Sequence, residues 1–403
     1  MDCPASGRHH SLSSVRVLLV HNSYQFSGGE ERAVEADQAL LTSRGHEVRL
    51  YLRTYDEIAK RSGISQLGLA AGVLWSRKSY RELRQLMREW RPHVAHFHNL
   101  FPLVSPSAYD ACRAEGVPVV QTLHNYRLFC AAGTLLRSGQ VCELCIGKVP
   151  WAAVRYKCYR GSRSQSLVMA ATLGSHAALG TWRTKVNAYI ALTEFGRAVF
   201  IRGGLPEDRL FVRPNALDVP EPPEYAGPRS AIFVGRLSPE KGVLTLLDAW
   251  QWLPQVPLKI VGDGPLLSQT RERVRARMPH VTVTGRVAHA EVIEMIRGAG
   301  MLIFPSLCYE GLGYALLEAL SAGVPVIASD IGAQSEIVSE GVSGLLFAPG
   351  DPSSLVSTVT RLITSSELAH NLSAGARRTF LERYSVERSY ARLMDVYRAV
   401  GAA

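Results

Sequence analysis

Between residues 304 and 329 the chain reads FPSLCYEGLGYALLEALSAGVPVIAS, and this stretch restricts the fold more than any other. An unbroken apolar run, residues 301–304, reads as a strand buried on both faces. A glycine-bearing turn, a helix and a second buried strand over residues 324–328 follow. The same rhythm opens the chain: VRVLLV at 15–20, then Gly28 and Gly29 opening a helix, then Gly45 as its stop and a strand over 46–52. Further strands are expected at 93–97, 117–122, 189–192 and 211–213, and beyond them at 231–234, 258–261, 281–284 and 344–347. EPPEYAGP (221–228) between the two sets reads as a linker. Strands alternating with helices dictate parallel sheets, and 403 residues are long for one core. The expected fold class is α/β, with two Rossmann-like doubly wound domains. The first spans residues 15–220 and the second 229–384, with residues 1–14 as a disordered lead-in.

Charge is unevenly placed. Of the 45 Lys and Arg 28 precede residue 221, against 17 of the 35 Asp and Glu, so the first half stands at +11 and the second at −1. A neutral second half argues against a protein that coats nucleic acid. A basic first half suits an anionic membrane surface or an anionic, lipid-linked substrate, or else arginines that merely solvate helix faces. The basic stretch 64–91, with Leu74 and Trp75 ahead of Arg77, could lie on a membrane, although a core-facing helix is the plainer reading. No apolar run reaches the ~20 residues of a membrane span. The polar N-terminus lacks a signal-peptide core. A cytoplasmic protein, peripheral on the membrane at most, is the expectation.

Polar motifs collect where strands end, the rim at which parallel sheets bind ligands. After strand 231–234 comes GRLSPEKG, whose Arg236 and Lys241 can hold a pyrophosphate, one as a fork and the other as a point charge. After 258–261 comes GDGP, where Gly262 and Gly264 would let a base or ribose lie on the backbone. Arg286, after 281–284, could line the base pocket. After 301–304, Glu310 and Glu318 stand eight residues apart around Gly311, Leu312 and Gly313. Helical geometry would bring the two carboxylates within a quarter turn of one face, about 12 Å apart along the axis. Glycines at that helix start favour an anion. The bland alternative is an amphipathic helix carrying a solvated Glu. In the first half, Gly28 and Gly29 mark close approach of a phosphate or sugar, and His124, in TLHN, sits just past a strand.

Four of the seven cysteines, Cys130, Cys142, Cys145 and Cys158, fall within an insertion spanning 130–158. Their spacing contains one CxxC knuckle, and the loop between the first two reads as a small hairpin. Clustered thiols suit a closed Zn²⁺ site, with an iron–sulfur cluster or free redox thiols as the alternatives. Lys148, Arg155, Lys157, Arg160 and Arg163 surround the cluster.

GRLSPEKG, GDGP, E-x7-E and the following AL-SAGVPVIASDIG together resemble the signature of the retaining GT-B glycosyltransferases of family 4, and the resemblance runs through nearly the whole chain. TLHNYRLFC…CELC…YRGSR further resembles a subgroup with a cysteine-bearing insertion, met in cell-surface polysaccharide assembly. The resemblance implies a nucleotide-diphosphate sugar as donor and a lipid-linked or glycan hydroxyl as acceptor. It implies that Arg236 and Lys241 neutralise the leaving diphosphate, that Glu318 binds the ribose and that Glu310 contacts the transferred sugar. Gly28 and Gly29 would sit over the phosphates, and His124 would line the sugar pocket. Residues 385–403 would cross back to complete the N-terminal domain.

No catalytic metal is expected: the chain has no DxD motif, and two cations replace the ion. Retaining glycosidases set two carboxyl groups about 5 Å apart across the bond, closer than Glu310 and Glu318 could come on one helix. Front-face transfer follows, in which the leaving phosphate helps deprotonate the incoming hydroxyl. Rival readings are a phosphorylase, a nucleotide-sugar epimerase, or a non-catalytic nucleotide-sugar or polyanion binding protein with a zinc-stapled insertion.

Overall fold

The computed structural model describes residues 14–23, 28–54, 56–59, 71–218 and 221–403. Most strands are short apolar runs covered on both faces, the edge strand Glu47–Arg53 (EVRLYLR) being the clear exception. Six of them, β1 (Arg16–Asn22), β2 (Glu47–Arg53), β3 (Val94–Phe97), β4 (Val119–Leu123), β7 (Ala188–Ala191) and β8 (Leu210–Val212), make a parallel sheet ordered β2-β1-β3-β4-β7-β8. Between β4 and β7, β5 (Leu136–Arg137) and β6 (Gln140–Val141) pair as the expected small hairpin. The second parallel sheet has β9 (Ala231–Val234), β10 (Leu258–Val261), β11 (Val281–Gly285), β12 (Met301–Phe304), β13 (Val326–Ser329) and β14 (Gly344–Phe347), ordered β11-β10-β9-β12-β13-β14. Both orders start from an inner strand and add neighbours on one side, β2 beside β1 and β10 then β11 beside β9, before reversing to the other. The reversals lie between β1 and β3 and between β9 and β12, so the crevices beyond these strand ends are the places built to take ligands.

The closing helix, Val386–Ala399, leaves the second half and packs on the first sheet. Its Leu393, Met394 and Tyr397 join Val17, Leu19, Val120 and Ile190 in one buried cluster.

Residues 163–184 form two helices, Arg163–Ala178 and Thr181–Thr184, because Gly180 between them turns left-handed at φ 66°. The strand expected at 324–328 starts two residues later, at Val326. β2, the strand read over 46–52, is an edge strand of which only Arg53 is buried. Within the basic stretch, Arg77–Trp90 is a helix burying Leu83 and Met87. Leu74 and Trp75 are exposed, the indole donating to Asp110 at 3.1 Å. Residues 1–13 of the lead-in, and residues 64–70, lie outside the described residues. No described helix is long and apolar enough to cross a membrane.

Candidate functional site

After β9 the backbone turns back on itself through Gly235–Gly242. Gly242 has φ 69°, and a Cβ there would lie 1.8 Å from the Pro305 carbonyl oxygen, so only glycine lets this turn press onto the loop following β12. Leu307 N–H donates to Glu240 O at 2.8 Å and locks the two loops together. Lys241 is thereby set beside Glu310: Nζ donates to Oε1 at 2.6 Å, and Ser306 Oγ donates to the same oxygen at 2.6 Å. Burial alone would lower the Lys241 pKa, but the Glu310 carboxylate outweighs it and the net direction is upward. Arg236 stands exposed on the same turn.

Glu310 is not on the helix. Residues 310–313 form an irregular loop and the helix spans Tyr314–Ser321, so helical spacing is not what relates the two acids. Glu318 is no solvated side chain: it is 3% exposed, and its Oε1 accepts from Arg32 at 2.6 Å and from His289 Nε2 at 2.9 Å. Arg32 belongs to the helix Gly29–Ser43 of the first half, and its guanidinium also covers the Tyr314 ring at 4.3 Å. The two halves therefore meet through a carboxylate–guanidinium clasp. Arg32 and His289 were absent from the sequence reading. Arg32 lies one turn beyond the glycine pair, and that proximity was the available signal. His289 opens the helix after Arg286, where nothing in its context marks it.

Gly28 caps the first helix, its N–H donating to Glu31 Oε2 at 2.8 Å, and Gly29 packs against Tyr314. Gly311 meets the first half elsewhere, where a Cβ would sit 2.8 Å from the His124 carbonyl oxygen. Leu312 is buried beside Leu192, and its carbonyl accepts from Asn215 at 3.4 Å. At Gly313 a Cβ would run into Phe304, at 2.9 Å. Gly262 and Gly264 have a different reason from the one expected. Their Cβ positions lie 1.9 and 2.5 Å from the carbonyl oxygens of Gly235 and Leu237, so loop-on-loop packing accounts for both glycines without a base or ribose. Arg286 is exposed beyond β11.

His124 ends a buried polar chain. Its Nε2 is 2.9 Å from His98 Nδ1, and His98 Nε2 lies 3.7 Å from Asp37 Oδ2. Asp37 accepts both terminal nitrogens of Arg213, at 2.9 and 2.5 Å, and Arg213 Nε donates to the Ser389 carbonyl of the closing helix. Burial favours the neutral form of Asp37, but the Arg213 charge and hydrogen bonds override it and hold the carboxyl well below its usual range. Burial, joined by the neighbouring imidazoles, pushes His124 and His98 well below their ordinary value, and His96 down to about 3. These rings are uncharged at neutral pH. His124 is the member that reaches the cleft.

Asp37, His96 and His98 bring one ligand atom each within 4.8 Å of one another. Both Asp37 oxygens serve Arg213, and the His96 nitrogens serve the Tyr397 hydroxyl at 2.9 Å and the Thr122 hydroxyl at 2.7 Å. A cation would have to displace a buried guanidinium, so the donor set does not fit a metal. None of the four insertion cysteines forms a disulfide. They lie close enough that Cys145 and Cys158 are raised by burial and then by the other thiols, Cys145 to about 11. A recess of 840 Å³ against the linker, lined by Tyr225, Arg229 and His370, opens at the N-terminal side of β9, away from these side chains.

Residues 27–221 match the model described as Glycosyltransferase Family 4, and residues 217–379 that described as Glycosyl transferases group 1. A 2-deoxystreptamine N-acetyl-D-glucosaminyltransferase of Streptomyces fradiae is 29% identical over 370 residues, covering 87% of this chain and 80% of the relative. An uncharacterized glycosyltransferase of Methanocaldococcus jannaschii is 32% identical over 167 residues, 41% of this chain and 47% of the relative. The matches span about half the length of several of these relatives, at 47%, 45% and 48%. Among solved structures, Anabaena Alr3699/HepE in complex with UDP and glucose superposes with a TM-score of 0.68 at 17% identity, over 96% of this chain and 100% of that one. The two facing α/β sheets and the returning helix are the GT-B fold.

Proposed function

We propose that this chain, which belongs to the GT-B glycosyltransferases of the family 4 and group 1 type, moves a hexose or N-acetylhexosamine from a nucleotide-diphosphate sugar to a hydroxyl acceptor with retention of configuration. The observation that carries the reading is the Lys241–Glu310 contact at the β9/β12 reversal, with Glu318 on the adjoining helix and neutral His124 opposite. Lys241 and Arg236 supply two positive charges for a leaving diphosphate, the charge that develops as the glycosidic bond breaks. Moving onto it, Lys241 releases Glu310 Oε1 to accept from sugar hydroxyls. Glu318 accepts from the ribose once Arg32 gives way. His124, uncharged, exchanges hydrogen bonds with the sugar without adding a charge that would repel Lys241. The leaving phosphate oxygen takes the acceptor proton on the same face, and no second carboxylate is required. No metal ion takes part in the transfer. The acceptor class is a lipid-linked or polysaccharide hydroxyl, and the four cysteines hold a structural zinc.

The test is thermal stability against uridine and guanosine diphosphates and their sugars, with Glu318→Ala and Lys241→Ala beside the parent chain. Uridine comes first, since the Anabaena neighbour holds UDP. A ligand at 100 times its Kd adds about 2.7 kcal/mol. A shift for one base, lost in both variants, supports the site. No shift for any base removes the donor reading and leaves a binding protein of another kind.

A further inference from the structure

From residue 144 to residue 193 the chain contains no Asp or Glu, although acids make up 35 of its 403 residues, and it carries seven Lys and Arg over the same span. The nearest acid before it, Glu143, is committed: its carboxylate accepts from Arg202 at 2.8 and 3.0 Å and pairs with the Tyr309 hydroxyl. Lys185 is paired from outside the span, with Asp110 at 2.5 Å, and the span itself supplies no carboxylate for the rest.

Its front edge, the outer part of the cysteine insertion, is also unusually apolar for an exposed surface. Leu144 is 50% exposed, Val149 47%, Trp151 58% and Tyr156 40%. On the short helix Trp151–Arg155 the indole and the guanidinium lie one turn apart on the outer face, while Ala153 faces inward. The guanidinium groups of Arg137 and Arg155 sit 4.3 and 5.5 Å from the Tyr156 ring, so cations and aromatics form one surface. Lys148, Lys157 and Arg160 are exposed around it.

We infer that this outer edge of the insertion is a docking surface for an anionic lipid bilayer. Cations at head-group level are attracted by acidic lipids, and Trp and Tyr favour the membrane–water interface, where the ring is buried and its polar edge stays wet. A hydrated soluble polyanion would use the cations but gain nothing from Trp151, Leu144 or Val149. The surface also lies beside the cleft, because Tyr309, bonded to Glu143 at the base of the insertion, directly precedes Glu310. A bilayer seated here brings lipid head groups to the mouth of the site. The inference stands on surface chemistry alone and does not depend on which donor the cleft takes.

The experiment measures partition of the whole chain onto vesicles of phosphatidylcholine alone and of phosphatidylcholine with phosphatidylglycerol, at low and at half-molar salt. Binding to the acidic vesicles, weakened by salt, is expected. The triple change Lys148→Glu, Arg155→Glu, Lys157→Glu lowers the partition coefficient at least a hundredfold. Trp151→Ser alone lowers it several-fold and abolishes quenching by brominated lipid. Both variants keep the parent's melting temperature and its nucleotide-induced shift, which separates lost docking from lost folding or a failed donor site. Equal binding to both vesicles, or acidic-vesicle binding untouched by these changes, overturns the inference. Tight binding to polyphosphate, insensitive to Trp151→Ser, with none to vesicles, overturns it too and makes the patch a site for soluble polyanions.

Discussion

Replacing Lys241 by Met removes one charge and keeps the methylene stem, so it separates the ammonium's two roles. In the free protein that ammonium pairs with Glu310, which is 13% exposed against 26% for the lysine. The carboxylate would then keep the Ser306 hydroxyl as its remaining strong donor, and a pair this accessible to water is worth about 1–2 kcal/mol. In the reacting complex, on the proposed function, the same charge faces a diphosphate. Two unit charges 4 Å apart attract by about 4 kcal/mol at an effective dielectric constant of 20. Removing one preorganised donor from a developing anion costs about 2.7–4 kcal/mol, or 10²–10³ in rate. Lys241→Met should therefore melt a few degrees lower yet react at least a hundredfold more slowly, whereas Lys241→Arg recovers much of both. The assay is single-turnover release of nucleoside diphosphate at saturating donor, so that weakened binding does not masquerade as slow chemistry. A fall of less than fivefold in a folded variant would refute the electrostatic role and leave Lys241 as a partner that positions Glu310. Because its pKa is raised by Glu310, Lys241 stays charged through the neutral range and should impose no alkaline limb on the rate there.

The other predictions concern the clasp, the histidines and the thiols. Arg32→Ala should lower the melting temperature but keep nucleotide affinity within about threefold, because it frees the carboxylate that Glu318→Ala deletes, and equal loss in both variants would make Arg32 part of the ligand site. His96 has its pKa depressed in the fold to about 3, so the unfolded chain alone binds that proton between pH 6.5 and 3, and stability present above pH 6.5 is lost on acidification at about 1.4 kcal/mol per pH unit. His98 and His124 act with the same sign, so melts that stay flat from pH 6.5 to 5 would contradict the buried network. Cys145→Ser should lose one tightly held zinc per chain by elemental analysis and destabilise the insertion by several kcal/mol, while a metal-free parent of equal stability would dismiss the zinc.

How much of this was readable beforehand follows from which interactions are local. Strands such as AIFV and MLIF announce themselves because a strand covered on both faces has to be apolar throughout, and the order of elements then dictates the rim on which Lys241, Glu310 and Glu318 stand. Motifs on that rim were legible for the same reason, since each belongs to one loop. Relations between loops were not. Gly262 and Gly264 read from their own loop as room for a ligand, and only the fold shows that the β9 loop presses on them as well. The helix-wheel argument for Glu310 failed because Gly311 lies against the His124 carbonyl, a contact with the other half of the chain that keeps the loop from winding into the helix.

The least legible contacts also say how the halves are held. Arg32 with Glu318 and Gly311 with His124 join residues 286 and 187 positions apart in sequence, and no periodicity within either half encodes them. They differ in kind. Backbone seated against backbone leaves no space for a side chain, so the Gly311 contact is fixed as long as the loop is. The clasp is a polar contact whose arginine is 29% exposed, and a ribose hydroxyl can replace it at little net cost. A donor would then release the pair it displaces while the Gly311 seam keeps Glu310 facing His124. On that reasoning substitution at Gly311, rather than at Arg32, is the change that separates the two halves of the site.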